Sequence, residues 1–239
     1  MEILSIDRVG GQGDGVANTP NGPVFVPLTL PGESVRAVVT DGRAEQVEIV
    51  TASVDRIAPV SPQYGDCGGC SLQHWAAEPY LGWKREQVRL ALAREGIETE
   101  IEATVATPAG TRRRVALHAR RMPDGRVALG FKARRSWRLV EVTACPIADP
   151  RIVAAIPMLA EVAAPLLEHP KSAPTLHVTL TDTGLDVDVT GVEKKSGGLT
   201  ADVTARAIAR SCFQGLSNRA RSQITVKISS KPINSAIAR

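Results

Sequence analysis

Aromatic residues are scarce in this sequence: three tryptophans, two tyrosines and three phenylalanines among 239 residues. A broad surface for stacking bases is therefore not expected. No run approaches the roughly 18 apolar residues of a membrane-spanning helix. The first nine residues carry Glu2 and Asp7 and no apolar stretch of signal-peptide length, so the chain is expected to be cytoplasmic, without a membrane partner. Cysteine is limited to four positions, 67, 70, 145 and 212. Acidic residues are missing altogether from 211–239, which holds six serines and five bases (Arg219, Arg221, Lys227, Lys231, Arg239). That shortage locates the charge. Residues 1–210 hold 24 bases and 25 acids, so the formal net charge of +4 is carried by the last 29 residues. With no sustained apolar period, this tail is expected to be disordered.

What remains is a foldable composition, 43% apolar and 23% charged, long enough for one large domain or two smaller ones. Residues 1–56 read as five short strands separated by Gly- and Pro-rich turns, among them Val24–Val26, Ser34–Val39 and Gln46–Val50. That count in so short a span fits a small barrel of the OB type. The cluster Gly10, Gly11, Gly13 and Gly15 supplies turns; without a strand-to-helix unit around it, it does not match a dinucleotide fingerprint. A loop follows over 57–71, then a helix over 78–95 that stops at Gly96. Strands are expected over 112–121, 127–131 and 137–142, with Pro123-Asp124-Gly125 as the first turn. A helical stretch over 150–168 must be kinked or split by Pro157 and Pro165. A second hairpin joins 175–180 to 185–189, and 200–210 reads as one more short helix. The expected fold class is α+β: the all-β barrel of 1–56, a central α/β domain with a mixed or antiparallel sheet over 57–210, and the tail.

Two thiols separated by two residues can hold one metal centre, because a tight loop turns both sulfurs the same way. Cys67-Gly68-Gly69-Cys70 has that spacing, and Gly68 and Gly69 permit the turn and free backbone amides to face sulfur. Cys145, followed by Pro146, is the natural third ligand of a cubane iron–sulfur cluster. A zinc site built from Cys67, Cys70, Cys145 and His74 is the alternative, and a pair of buried thiols in a glycine turn is the plain structural one.

Ser61-Pro-Gln-Tyr-Gly-Asp-Cys67-Gly-Gly-Cys70-Ser-Leu-Gln-His74 resembles the cluster loop of the S-adenosylmethionine-dependent 23S rRNA (uracil-5-)-methyltransferases, which has the form Cys-x5-Cys-Gly-Gly-Cys. Residues 1–56 resemble the TRAM domain of that family through Ile6-Asp-Arg-Val-Gly-Gly-Gln-Gly-Asp-Gly-Val16 and Val24-Phe-Val-Pro27 with Leu30-Pro-Gly-Glu33. The resemblance covers about 1–210. It implies a [4Fe–4S] cluster on Cys67, Cys70 and Cys145, and an RNA partner, 23S rRNA. Ser61 stands where the family places its first cluster cysteine, and a serine oxygen is a poor ligand beside a thiolate. The family's Rossmann-like domain binds S-adenosylmethionine and supplies the thiolate that attacks uracil C6. None of its signatures occurs here, and Asp149-Pro150-Arg151 lacks the second proline of the family's Asp-Pro-Pro-Arg loop. The catalytic domain is accordingly expected to be missing, as in a chain truncated by a frameshift. S-adenosylmethionine is not expected to bind, no catalytic residue is assigned, and Cys212 reads as a plain thiol.

The segment from Arg112 to Arg138 holds ten bases and one acid, Asp124. Alternation along a strand would put Arg112, Arg114, His118 and Arg120 on one face and Val115, Leu117 and Ala119 on the other. Arg126 and Lys132 would fall opposite Val127, Leu129 and Phe131 on the partner strand. A face of guanidinium groups suits phosphate contacts, whereas the plain alternative is an ordinary solvated sheet face. The candidates for RNA contact are Arg112, Arg114, His118, Arg120, Arg126, Lys132, Arg134 and Arg135. Residues 1–56, with four bases and eight acids, are not expected to add electrostatic affinity.

Overall fold

The computed structural model describes residues 1–193 and 223–228. The expected helix over 200–210, Cys212, and the tail apart from 223–228 lie outside the described residues. Two compact units emerge: Met1–Gly65 with Cys70–Thr107, and Asp66–Gly69 with the described residues from Pro108 onward. Among the described residues no helix is long and apolar enough to cross a membrane.

The first unit holds six strands where the sequence suggests five: β1 (Glu2–Ser5), β2 (Arg8–Val9), β3 (Gly15–Thr19), β4 (Gly22–Val26), β5 (Ser34–Thr40) and β6 (Arg43–Thr51). They form one sheet in the order β1-β5-β6-β4-β3-β2. Asp41 and Gly42, with φ of 50° and 71°, make the two-residue turn that pairs Thr40 with Arg43. Both central residues need positive φ in such a turn, which is why Asp-Gly sits there. Alternate residues point inward, so Val24, Val26, Val35 and Ala37 join Leu4, Ile6, Ala17 and Ala44 in a small core. Helix α1 (Ala77–Arg94) belongs to the same unit and buries no residue completely. Its Tyr80 and Trp83 pack beside Trp75, Val9 and Leu30, and the Trp83 indole N–H donates to the Val9 carbonyl at 3.1 Å.

The second unit is built on β7 (Arg114–Arg121), β8 (Val127–Lys132), β9 (Leu139–Glu141), β10 (Thr175–Leu180), β11 (Gly184–Thr190) and β12 (Gln223–Ile228), in the order β12-β11-β10-β7-β8-β9. Helices α2 (Pro150–Ala154) and α3 (Ile156–Ala163), then a 3-10 turn over Ala164–Leu167, pack on one face. Pro150, Pro157 and Pro165 each sit at the start of one of these segments, where a missing N–H costs nothing. Asp149 caps α2 by accepting the Arg151 N–H at 3.0 Å. Leu117, Leu129, Leu159, Val162, Leu166, Leu176, Val178, Val187 and Val189 form the core between helices and sheet.

Two expectations need correction. The strand begins at Arg114, because the Arg112 backbone is already bonded to Ile147 and Asp149 in an isolated parallel bridge to Ala148. The tail is not wholly outside the fold: residues 223–228 pair in parallel with β11, from Gly184–Gln223 to Val189–Ile228. Ile224, Val226 and Ile228 alternate with Thr225 and Lys227, the period of a strand, and Val226 packs against the core of the unit.

Candidate nucleic-acid interface and cysteine loop

Along β7 the side chains alternate as its sequence suggests. Val115, Leu117 and Ala119 are buried toward α2 and α3, while Arg114 and Arg120 are exposed and His118 is half-buried on the opposite face. Among the described residues, that second face carries no helix of its unit. Pairing lays Arg114 beside Thr179 and Asp186, Ala116 beside His177 and Asp188, and His118 beside Thr175 and Thr190. The open face is therefore mixed in sign, since β11 contributes two carboxylates that strand-by-strand reading of the basic segment leaves out.

The candidate bases differ sharply in what they already hold. Arg112, Arg114 and Arg120 make no ion pair with the described residues, and Arg114 and Arg120 share the open face of β7. Arg126 is engaged by two carboxylates: its Nη1 and Nη2 donate to both Glu141 carboxylate oxygens at 2.6 and 2.9 Å, and its Nε to Asp124 at 2.9 Å. The Glu141 bonds, then those to Asp124, push its pKa further up. Lys132 places Nζ 3.6 Å from the centre of the Trp137 ring. Arg134 is half-buried, with its amide donating to the Asp66 carbonyl at 3.2 Å, and Arg135 is exposed at the turn with φ of 51°. His118 Nδ1 lies 3.0 Å from Thr175 Oγ1. Burial, and then the charges of Lys132 and His177, push its pKa below the ordinary 6.5, so His118 adds no charge at neutral pH. Three other arginines of the segment, outside the candidate set, are tied into the fold. Arg113 bonds Leu180 O and Asp182, Arg121 bonds Gly125 O and Ala164 O, and Arg138 pairs with Asp66.

In the first unit, three of the four bases of residues 1–56 are paired: Arg36 with Glu48, Arg43 with Asp14, and Arg56 with Glu33. Glu33 is 1% exposed and accepts from Arg56 Nε and Nη2 and from the amides of Leu30 and Ser53. Burial alone would raise its pKa, but the Arg56 and amide hydrogen bonds outweigh it and hold the carboxyl below its usual range.

The Cys67 segment is sewn to the β8–β9 connection of its own unit. Cys67 bridges Ala133, the Gly68 amide donates to Lys132 O at 3.0 Å, and Asp66 O receives the Arg134 amide. A Cβ on Gly68 would meet Lys132 O at 2.8 Å, which is why a glycine is needed there. The Gly69 amide donates to Cys67 Sγ at 3.4 Å. Cys67, Cys70 and Cys145 are all thiols of intermediate exposure. Ser61 Oγ accepts the Gln63 amide at 3.3 Å, and its own amide donates to Gln73. His74 is 1% exposed and its Nδ1 is bonded to the Tyr64 hydroxyl, a structural setting for that ring. Among the described residues, no three His, Cys, Asp or Glu side chains form a group that could hold a metal ion. Three thiols and one serine oxygen are the donor types on offer, and among the described residues the three thiols are not gathered into one such group.

No protein-family model matches the chain. It is 63% identical over 209 residues to an RNA methyltransferase of Caulobacter vibrioides, a match covering 87% of this chain and 50% of that protein. It is 40% identical over 177 residues to the 23S rRNA (uracil(1939)-C(5))-methyltransferase RlmD of Halomonas elongata, covering 71% of this chain and 35% of the relative. Among solved structures, the Pyrococcus abyssi tRNA (uracil-54, C5)-methyltransferase in complex with S-adenosyl-L-homocysteine superposes with a TM-score of 0.54 at 22% identity, over 83% of this chain and 48% of that one. The first and second of these likenesses are in sequence; the third is one of fold alone. The chain is thus a homologue of RNA methyltransferases, and it spans about half the length, or less, of the curated relatives it matches.

Proposed function

We propose that these 239 residues are the RNA-binding portion of an rRNA (uracil-C5)-methyltransferase, binding 23S rRNA without themselves transferring a methyl group. One observation carries the reading. Among the described residues Arg114 and Arg120 make no ion pair, and they lie on the sheet face opposite the one packed against α2 and α3. Long guanidinium side chains held apart in that way suit phosphate oxygens, which position RNA without reading its sequence. Arg112, Lys132, Arg134 and Arg135 extend the basic set, while Arg126 and His118 drop out of it as charge donors. The motifs of residues 1–56 support a TRAM-like module, whose paired bases leave it little electrostatic pull on RNA.

Cys67, Cys70 and Cys145 are the proposed ligands of a [4Fe–4S] cluster, with Ser61 at the fourth position. Such a group would supply a structural cross-link rather than a reacting centre. The chain's own part is to hold the Cys67 segment on the β8–β9 turn, with the Gly69 amide donating to Cys67 Sγ. No residue is assigned to S-adenosylmethionine, the methyl donor of the related enzymes.

Binding of fluorescein-labelled rRNA fragments, followed by anisotropy across a salt series, tests the RNA reading. Arg114→Glu/Arg120→Glu is expected to weaken binding at least tenfold, and the log–log salt slope should flatten by roughly 0.7 for each single-strand phosphate that the variant no longer neutralises. An unchanged affinity and slope would refute it. Anaerobic purification tests the cluster. Brown protein with about four irons per chain and absorbance near 400 nm is expected. Colourless protein with one zinc would favour the zinc alternative. Methyl transfer from labelled S-adenosylmethionine by this chain would overturn the assignment as a binding portion.

A further inference from the structure

Trp137 is 83% exposed, an unusual position for one of only eight aromatic residues. The expected strand over 137–142 does not include it, because β9 begins at Leu139 and Trp137 sits on the turn between β8 and β9. That turn is built with care. Ala133 N donates to Arg138 O at 2.8 Å and Ser136 N to Ala133 O at 3.1 Å, and the Ser136 hydroxyl accepts the Arg138 amide. Arg135 adopts a left-handed φ of 51°, a conformation that costs free energy for a residue with a Cβ. The Cys67 segment then pins the turn from one side through the Ala133 bridge, the Gly68 and Arg134 amide bonds and the Arg138–Asp66 pair. Lys132 lies over one face of the indole at 3.6 Å, which fixes the ring. A tryptophan left in water on an ordered basic turn is arranged to receive a flat ring.

We infer that Trp137 is a stacking platform for one unpaired nucleobase of the bound RNA, with Lys132 as its under-plate. The inference rests on the RNA-binding reading and narrows it to single-stranded RNA at this turn, because a base within a duplex offers its face to neighbouring pairs instead. The scarcity of aromatics fits one anchored base rather than a stacked run. It also gives the Cys67 segment a second role: it positions the platform by fastening both ends of the turn.

The experiment compares the full chain with Trp137→Ala, Trp137→Phe and Arg114→Glu/Arg120→Glu, using a labelled 12-nucleotide oligouridylate and an RNA duplex of equal length. Trp137→Ala should weaken binding of the single strand roughly 5- to 100-fold, the range for one stacked base, and leave duplex binding unchanged. Trp137→Phe should stay within about threefold of the parent. Oligouridylate should quench indole emission in the parent and not in Trp137→Phe, a readout that general loss of charge would not move. If Trp137→Ala binds the single strand like the parent while the double arginine variant does not, the stacking inference falls and the RNA reading stands. If the parent binds neither RNA, both fall.

Discussion

Replacing Arg56 by methionine would keep the aliphatic stem but leave the Glu33 carboxylate inside the first unit with two backbone amides and no cation. The side chain of Glu33 is fully buried, and its bonds to Arg56 include Nη2 to Oε2 at 2.9 Å. The same guanidinium also donates to Leu28 O at 2.8 Å, so the substitution frees a second acceptor. Removing one partner of a buried pair costs about 3–5 kcal/mol. The Leu30 and Ser53 amides still solvate the carboxylate, and Arg56 is partly exposed, so a loss of about 2–4 kcal/mol at pH 7 is expected. The sign with pH follows from the direction of the shift. In the parent the folded-state pKa lies below the ordinary 4.5, so the ionised carboxylate stabilises the fold above pH 4.5 and that contribution fades as pH falls through the folded value. In Arg56→Met burial raises the pKa instead, and a protonated Glu33 needs no cation. The difference between parent and variant should therefore shrink steadily from pH 7 to pH 4. Urea unfolding followed by Trp75 and Trp83 emission, in a Trp137→Phe background, reports on this unit. A loss below about 1 kcal/mol, or one independent of pH, would refute the reasoning.

Gly15→Ala should lower stability by about 1–3 kcal/mol, because its Cβ would collide with the buried Thr29 Oγ1 and with Ile6 Cγ2; Thr29→Ala in the same chain should restore much of it in a thermal melt. Gly130→Ala would drive a Cβ into the Val140 carbonyl, a backbone group that cannot swing away, and should cost about 3 kcal/mol. Hydrogen exchange should show protection lost along the Gly130–Glu141 and Phe131–Val140 pairs. His118 should titrate below 6.5 by NMR, since burial, Lys132 and His177 all disfavour the imidazolium. Its unfolded form binds the proton more readily, so stability from this residue is complete above pH 6.5 and declines below it, and His118→Gln should flatten that decline.

Much of the second unit is legible in the sequence. Strict alternation over Val115–Ala119 states which residues pack, and Pro157 and Pro165 state where the helical stretch divides, because both signals are local. Residues 223–228 carry a strand period too, but within a tail dominated by serine and base it is outweighed until β11 supplies an edge to pair with. Glu33 and Arg56 look like surface charges in sequence. They become a buried pair only because the chain between β4 and β5 turns inward.

The cysteine spacing, the basic segment and its sidedness were determined by the sequence alone, since each depends on neighbours a few residues apart. Which of those bases remain available was decided by the tertiary structure. Glu141 reaches Arg126 across 15 residues of chain and Asp66 reaches Arg138 across 72, while β11 lays Asp186 and Asp188 on the same face as Arg114. Charge counted along a chain ignores partners brought by strand pairing, and an arginine can contact RNA only with the donors that pairing leaves free.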